Sequence, residues 1–328
     1  MKKLFILLMC LALLCTGLVG CKEEEELATV SLNEVTHSVF YAPLYAAMEL
    51  GYFEEEGIKI ELSNGGGADK VMTAILSGQS DIGLAGPESC IYVLQEGRED
   101  HALVFAQLTK RDGSFLVGRS DESFSWENLR GKTILGGRKG GVPEMTLEYV
   151  MRQNGVIPHE DAVVDTSVQF NMMAGAFTGG NGDYVALFEP TATEVERAGK
   201  GFILCSIGAE SGEIPYTAFF AAKSYISENP AIIQGFTNAI ARAQQWVQET
   251  DAAEIARVIA PQFPDSVMEV LTAVTQRHKD IDAWNSEPFM KKEALDRLQT
   301  VMETAGELSE RVDYESLVDM SFASTAAG

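Results

Sequence analysis

Ile58-Lys59-Ile60-Glu61-Leu62-Ser63-Asn64-Gly65-Gly66-Gly67-Ala68-Asp69-Lys70-Val71-Met72-Thr73-Ala74-Ile75-Leu76-Ser77-Gly78-Gln79-Ser80-Asp81-Ile82-Gly83-Leu84-Ala85 is a stretch that changes its hydrophobic period twice. Residues 58–62 alternate apolar and polar, as a half-buried strand does. Three glycines then form a flexible turn. Residues 68–76 carry apolar side chains at helical spacing, and Gly78 closes that helix. Residues 81–85 form a second short strand. A strand, a crossover helix and another strand make a βαβ unit, which places the two strands parallel.

The same rhythm extends outward. Residues 29–35 alternate like a strand, and 43–50 read as a helix with Pro43 in its first turn and Gly51 at its end. Residues 87–95 predict a third helix and 102–108 an apolar strand. Such repetition argues for an open, mainly parallel sheet with helices on both faces. Ligands of these sheets gather at the carboxyl ends of the strands. The loops to watch are therefore 36–43, 63–68, 86–88 and 109–114.

A second α/β unit follows, with strands at 115–118, 133–135, 162–165, 184–188 and 202–205 and helices at 143–154, 168–177 and 190–198. A strand at 216–221 comes next, and the remainder is helical: 230–248, 252–259, 265–279 and 291–304. The order predicts a discontinuous first lobe, 28–112 with 217–328, and a second lobe over 113–216. The fold class expected is α/β, with two doubly wound lobes.

The amino terminus reads as a targeting segment. Lys2 and Lys3 precede an apolar run from Leu4 to Leu14 that is too short for a comfortable membrane span. Leu18-Val19-Gly20-Cys21 closes it and resembles a lipobox, so residues 1–21 are expected to be a signal peptide whose Cys21 takes lipid. Residues 22–27 carry four glutamates after Lys22, a charge run that reads as a solvated tether. Acyl chains on Cys21 would hold the protein to a bilayer.

Composition excludes several classes. The formal net charge is −23, and no basic stripe offsets it, so a nucleic-acid partner is not expected. Apolar residues make up 46% of the chain, enough to fill the cores of two lobes. Beyond Cys21 and the leader, only Cys90 and Cys205 remain, and two free thiols are favoured over a pair. The four histidines, His37, His101, His159 and His278, are scattered, with no zinc spacing and no nucleophile elbow. Neither a catalytic constellation, nor a metal site, nor a cofactor is expected.

Four further stretches resemble motifs of a known family. These are His37 to Ile58 with Gly51-Tyr52-Phe53-Glu54-Glu55-Glu56-Gly57 at its end, Ala74 to Gly83, Gly131-Lys132-Thr133 before a strand, and Leu187-Phe188-Glu189-Pro190 after one. In this order they are similar to the nitrate/sulfonate/taurine-type solute-binding proteins of ABC transporters. That family also includes thiamine-pyrimidine-precursor binders. The resemblance implies a type II periplasmic-binding-protein fold with a hinged cleft. It implies an extracytoplasmic, lipid-anchored component of an ABC importer that binds a small organic solute, such as a sulfonate or a pyrimidine precursor. Its implied partners are that small molecule and a membrane permease, and a monomer is expected. A ligand sensor serving a membrane receptor is the alternative. A thiamine-pyrimidine synthase-like enzyme is a weaker one, because the cysteine-rich motif of those relatives is missing.

Candidate ligand residues sit at the predicted strand ends. His37, Phe40, Tyr41 and Leu44 follow the first strand; the aromatics offer flat apolar faces, and His37 can donate or accept near neutral pH. Gly86 and Glu88 open the third helix, where backbone N–H groups suit an anion and the carboxylate suits a ligand amine. The loop 136–144 brings Arg138, Lys139, Gly140 and Gly141 to a helix start, an arrangement that attracts acidic groups. It is neither a P-loop nor a dinucleotide fingerprint. Glu189 could accept from ligand N–H groups. Lys110 and Ser114 lie at the first crossing between lobes, and Tyr216 and Thr217 at the second. Each position also suits a purely structural role in a core, a helix start or a hinge.

Overall fold

The computed structural model describes residues 27–326. The leader, Cys21 and the acidic run after it lie outside the described residues. Alternation over the first strand and the βαβ stretch produces β1 (Ala28–Glu34), α1 (Ala42–Glu49), α2 (Tyr52–Glu55), β2 (Ile58–Asn64), α3 (Ala68–Leu76), β3 (Ile82–Ala85), α4 (Glu88–Gln95) and β4 (Ala102–Thr109). The chain then crosses into β5 (Ser114–Gly118), β6 (Thr133–Leu135), α5 (Val142–Gln153), β7 (Val163–Asp165), α6 (Met173–Thr178), β8 (Tyr184–Phe188), α7 (Thr191–Arg197), β9 (Phe202–Ser206) and α8 (Ile207–Ser211). It returns as β10 (Thr217–Ala222), followed by α9 (Lys223–Glu228), α10 (Pro230–Glu249), α11 (Ala252–Ile259), α12 (Met268–Asp280), α13 (Lys292–Thr304), α14 (Tyr314–Leu317) and α15 (Ser321–Ala326). The helix expected over 168–177 begins instead as a 3₁₀ turn, Phe170–Met172, that leads into α6.

Two five-stranded sheets result, ordered β2-β1-β3-β10-β4 and β7-β6-β8-β5-β9. The expectation of mainly parallel sheets needs one correction. Each sheet holds one reversed strand: β10 is antiparallel to β3 and β4, and β5 is antiparallel to β8 and β9. The cause is where the chain crosses. It leaves the first lobe at the carboxyl end of β4 and enters the second at the edge facing the first, so β5 must run away from that edge. The return into β10 repeats the geometry.

Strand periodicity sorts the second lobe's core. Leu116, Ile134, Tyr184 and Ala186 pack on one face of the sheet, whereas Phe115, Val117, Leu135, Val185 and Leu187 pack on the other. Successive side chains point to opposite faces, so a strand buried on both sides reads as continuously apolar. In the first lobe, Ile233, Phe236, Ile240, Ala243 and Val247 form the buried stripe of α10, spaced three or four residues apart. Cys90 and Cys205 are free thiols. No helix among the described residues is long and apolar enough to cross a membrane.

Candidate functional site

The two sheets turn their strand ends toward one gap. From the first lobe come the turns after β1, β2 and β3; from the second come those after β6, β7 and β8. The gap contains two cavities. The inner one, of about 160 Å³, has Tyr41, Glu88, Phe188 and Tyr216 in its wall, with Arg138 and Lys70 also lining it. The outer one, of about 370 Å³, is lined by residues that include His37, Asn64, Asn171 and Thr191. Thr36, Gly66, Phe170 and Phe188 border both, so the two lie side by side.

The aromatic wall of the inner cavity is braced from behind. Phe40 is fully buried and packs its ring against Tyr41 at 5.5 Å, Phe188 at 5.8 Å and Tyr216 at 5.8 Å between centroids. Its carbonyl accepts from Trp284 Nε1 at 2.8 Å. An added Cβ on Gly113, in the first crossing, would lie 2.5 Å from the Phe40 ring, so glycine is what lets the ring rest on the crossing.

Glu88 is the central charged group. Its side chain folds back over Gly86, where an added Cβ would lie 2.0 Å from Oε2. It is 1% exposed, and Oε2 has no hydrogen-bond partner among the described residues. Burial pushes its pKa up to about 7, against the pull of Arg138 and of nearby N–H groups of Val142 and Ser89. Val142 opens α5 in the other lobe, so this carboxyl sits where a helix start favours negative charge.

The crossings form the back of the cleft. Ile214 N–H donates to the Lys110 carbonyl at 2.9 Å, Tyr216 N–H to the Thr109 carbonyl at 3.3 Å, and Lys110 N–H to the Ala283 carbonyl at 2.9 Å. Thr109 and Thr217 share a 2.6 Å hydroxyl contact. Asp112 accepts from the Ser114 N–H and hydroxyl, both at 2.6 Å. The Tyr216 hydroxyl lies beside Asp112 but outside strict hydrogen-bond geometry, and burial raises the Asp112 pKa to about 7.

The NMT1/THI5 like family profile matches residues 39–253. The chain belongs to the NMT1/THI5-like family. Over 308 residues it is 44% identical to a Bacillus subtilis (strain 168) protein named "Putative binding protein YtlA", covering 94% of this chain and 92% of that one. Among solved structures it is similar to the alkanesulfonate-binding protein SsuA from Xanthomonas axonopodis pv. citri bound to MOPS. That likeness has a TM-score of 0.72 at 17% identity and covers 90% of this chain and 99% of the other. The periplasmic nitrate-binding protein NrtA from Synechocystis PCC 6803 gives a TM-score of 0.71 at 16% identity, covering 92% and 89%. The NMT1/THI5-like chain therefore has the two-lobed fold of periplasmic binding proteins.

Of the residues singled out in the sequence, Tyr41, Gly86, Glu88, Arg138, Gly141, Tyr216 and Thr217 line the inner cavity of this NMT1/THI5-like protein. His37 and Glu189 line the outer one. The others lie outside both walls. Phe40 and Leu44 are core. Lys110 pairs with Asp282 at 2.8 Å, Ser114 is held by Asp112, and Lys139 reaches Glu307 at 3.3 Å. The Gly140 carbonyl accepts from Tyr92 Oη at 2.9 Å across the gap.

Glu189 differs from its expected role. Its Oε2 accepts from Thr193 N–H at 2.9 Å, and its Oε1 accepts from Thr193 Oγ1 at 2.9 Å and from Arg277. Both oxygens are thus occupied by protein groups. His37 is likewise engaged: Nδ1 meets Glu34 Oε1 at 2.7 Å and Nε2 meets the Gln262 carbonyl at 2.8 Å. Burial opposes charge on this ring, but Glu34 and the Gln262 carbonyl outweigh it and raise the pKa. The turn 166–170 was not anticipated as part of the site. It follows β7, so the strand-end rule points to it, but β7 is only three residues long and its turn carries no glycine or charge pattern.

Proposed function

We propose that this protein is the extracytoplasmic solute-binding component of an ABC importer, anchored by lipid on Cys21, whose lobes 28–112 with 217–328 and 113–216 close on a small organic solute. The observation that carries the reading is the cavity between the lobes, walled from both sheets and containing one buried carboxylate oxygen without a hydrogen-bond partner among the described residues. A buried acceptor without a partner costs about 1–3 kcal/mol, so a solute donor placed there gains more than an ordinary hydrogen bond. The names of YtlA, SsuA and NrtA support binding as the activity, and no catalysis is assigned. The wall of Tyr41, Phe188 and Tyr216 favours an organic ligand over a bare inorganic anion, since flat aromatic faces gain by covering apolar area. Arg138 and the start of α5 suit an acidic group, and Glu88 suits an amine, so an amphoteric heterocycle would use both.

A ligand touching both lobes stabilises the closed arrangement because only there are both sets of partners met. A permease then reads the closed shape. The test is a thermal-shift screen of the full chain against sulfonates, nitrate, bicarbonate, pyrimidines and flavins. A binder at a hundred times its Kd should add about 2.7 kcal/mol of stability. A flat screen, with nothing co-purifying in denaturing mass spectrometry, would remove the proposed ligand classes.

A further inference from the structure

The inner cavity alone is too small for most organic solutes. At about 160 Å³ it falls below the roughly 300–1,000 Å³ of typical small-molecule sites. The outer cavity beside it, at about 370 Å³, is within that range. The two differ in chemistry. The inner wall carries Glu88 with its unpartnered oxygen, and Arg138. The outer wall carries neutral hydrogen-bonding side chains: Thr36, Asn64, Asn171 and Thr191.

The two ionisable groups of the outer wall are already neutralised. His37 is held at both ring nitrogens, by the Glu34 carboxylate and the Gln262 carbonyl, and when it is protonated Glu34 balances its charge. Glu189 is balanced by Arg277. The outer cavity therefore offers dipoles rather than net charge. Phe170 and Phe188, their rings tilted against each other at 5.4 Å between centroids, border both cavities and form an apolar ridge between them.

We infer that the solute has two parts: a compact head that donates a hydrogen bond to Glu88, and an uncharged hydroxylated or amide-bearing arm that crosses over the Phe170–Phe188 ridge and lies among Thr36, Asn64, Asn171 and Thr191. This rests on the solute-binding reading above and narrows it. Nitrate or a short alkanesulfonate would fill neither wall. A second acid on the arm would meet no free cation among the described residues of the outer cavity, so the arm is neutral.

The experiment uses matched pairs that share a donor-bearing head and differ only in a neutral arm, such as cytosine with cytidine and adenine with adenosine. Each is tested by thermal shift and then by calorimetric titration against the full chain. The armed member of at least one pair should bind tenfold or more tighter than its bare head. Asn171→Ala with Thr191→Val should shrink that ratio toward one, and Glu88→Gln should weaken both members of the pair. Bare heads that bind as tightly as their armed partners overturn the two-part solute while leaving the solute-binding reading in place. So does a ratio unmoved by the Asn171 and Thr191 changes. If no pair member binds but a sulfonate or nitrate does, the inference falls alone. If nothing binds at all, the ligand classes of the underlying reading fall with it.

Discussion

Glu88 shows what one side chain settles. Its carboxyl ordinarily titrates near 4.5, and burial raises this to about 7. On raising the pH, an unfolded chain gives up that proton first, while the folded chain keeps it until about 7. Stability must therefore fall as pH rises between those values, by at most about 3 kcal/mol. Asp112, raised to about 7 by burial, and Glu144, raised to about 8 by burial and by its neighbour Glu148, act in the same direction. His37 does too: its stabilisation is full below its ordinary 6.5 and is lost as pH climbs through the higher folded value. The ligand-free protein should melt at lower temperature at pH 8 than at pH 5.5, and Glu88→Gln should flatten part of that slope. Parallel slopes for the two proteins would show that Glu88 is not the buried acid described. Glu88 was legible in the sequence because it opens a helix after a strand. Phe40 and Tyr41 were legible only as a pair, since nothing local decides which ring faces the gap and which the core. The occupation of Glu189 by Arg277 was not legible, because the partner lies 88 positions away.

At the level of elements, the crossings govern the geometry. Gly208, in α8, sits so close to the first crossing that an added Cβ would lie 1.9 Å from the Asp112 carbonyl oxygen. That neighbour is backbone and cannot swing aside. Gly208→Ala should therefore push the two crossings apart, at a cost of about 3 kcal/mol by analogy with overpacked cores, seen as a lower urea midpoint. The last turn of α12 adds a further tie. Arg277 reaches Glu189 and Thr193 in the second lobe and lies 5.5 Å from the centre of the Phe115 ring, while Val270, Leu271 and Val274 of the same helix pack in the first lobe's core. Removing one partner of a buried pair strands the other; because Arg277 is partly exposed, about 3 kcal/mol, the low end for such losses, is expected for Arg277→Ala. Chemical denaturation checks this, and a change below about 1 kcal/mol would show that water already serves Glu189. The strands and long helices of both lobes followed from periodicity, whereas the short helices α2, α8, α9, α14 and α15 did not. The contact of Lys110 with Ala283 did not, because it is a tertiary bond between backbone groups with no signature in side-chain pattern.

For the whole molecule, the other links across the gap, beside the Arg277–Glu189 tie, are weak. Arg138 meets Asp69 at 3.8 Å and Lys139 meets Glu307 at 3.3 Å, pairs with exposed members that contribute about 0–1 kcal/mol each. Tyr92 Oη donates to the Gly140 carbonyl at 2.9 Å and Ser38 Oγ to the Glu189 carbonyl at 2.5 Å, about 1 kcal/mol apiece. In the ligand-free protein, the lobe angle should therefore respond to the loss of these weaker links. Moving from about 0.1 to 1 M salt cuts the screening length from roughly 10 to 3 Å, so small-angle scattering should record a larger radius of gyration, and Tyr92→Phe should enlarge it further. An unchanged radius would mean that the back of the cleft, not its mouth, sets the lobe angle. The position of β10 between β3 and β4 has a separate bearing on assembly. A growing chain emerges from its amino end, yet the strand that joins those two neighbours is not made until the whole second lobe has been synthesised. The later lobe can therefore mature first, while the earlier one waits with two raw edges, and a nascent polypeptide stopped before residue 217 has no means of completing it.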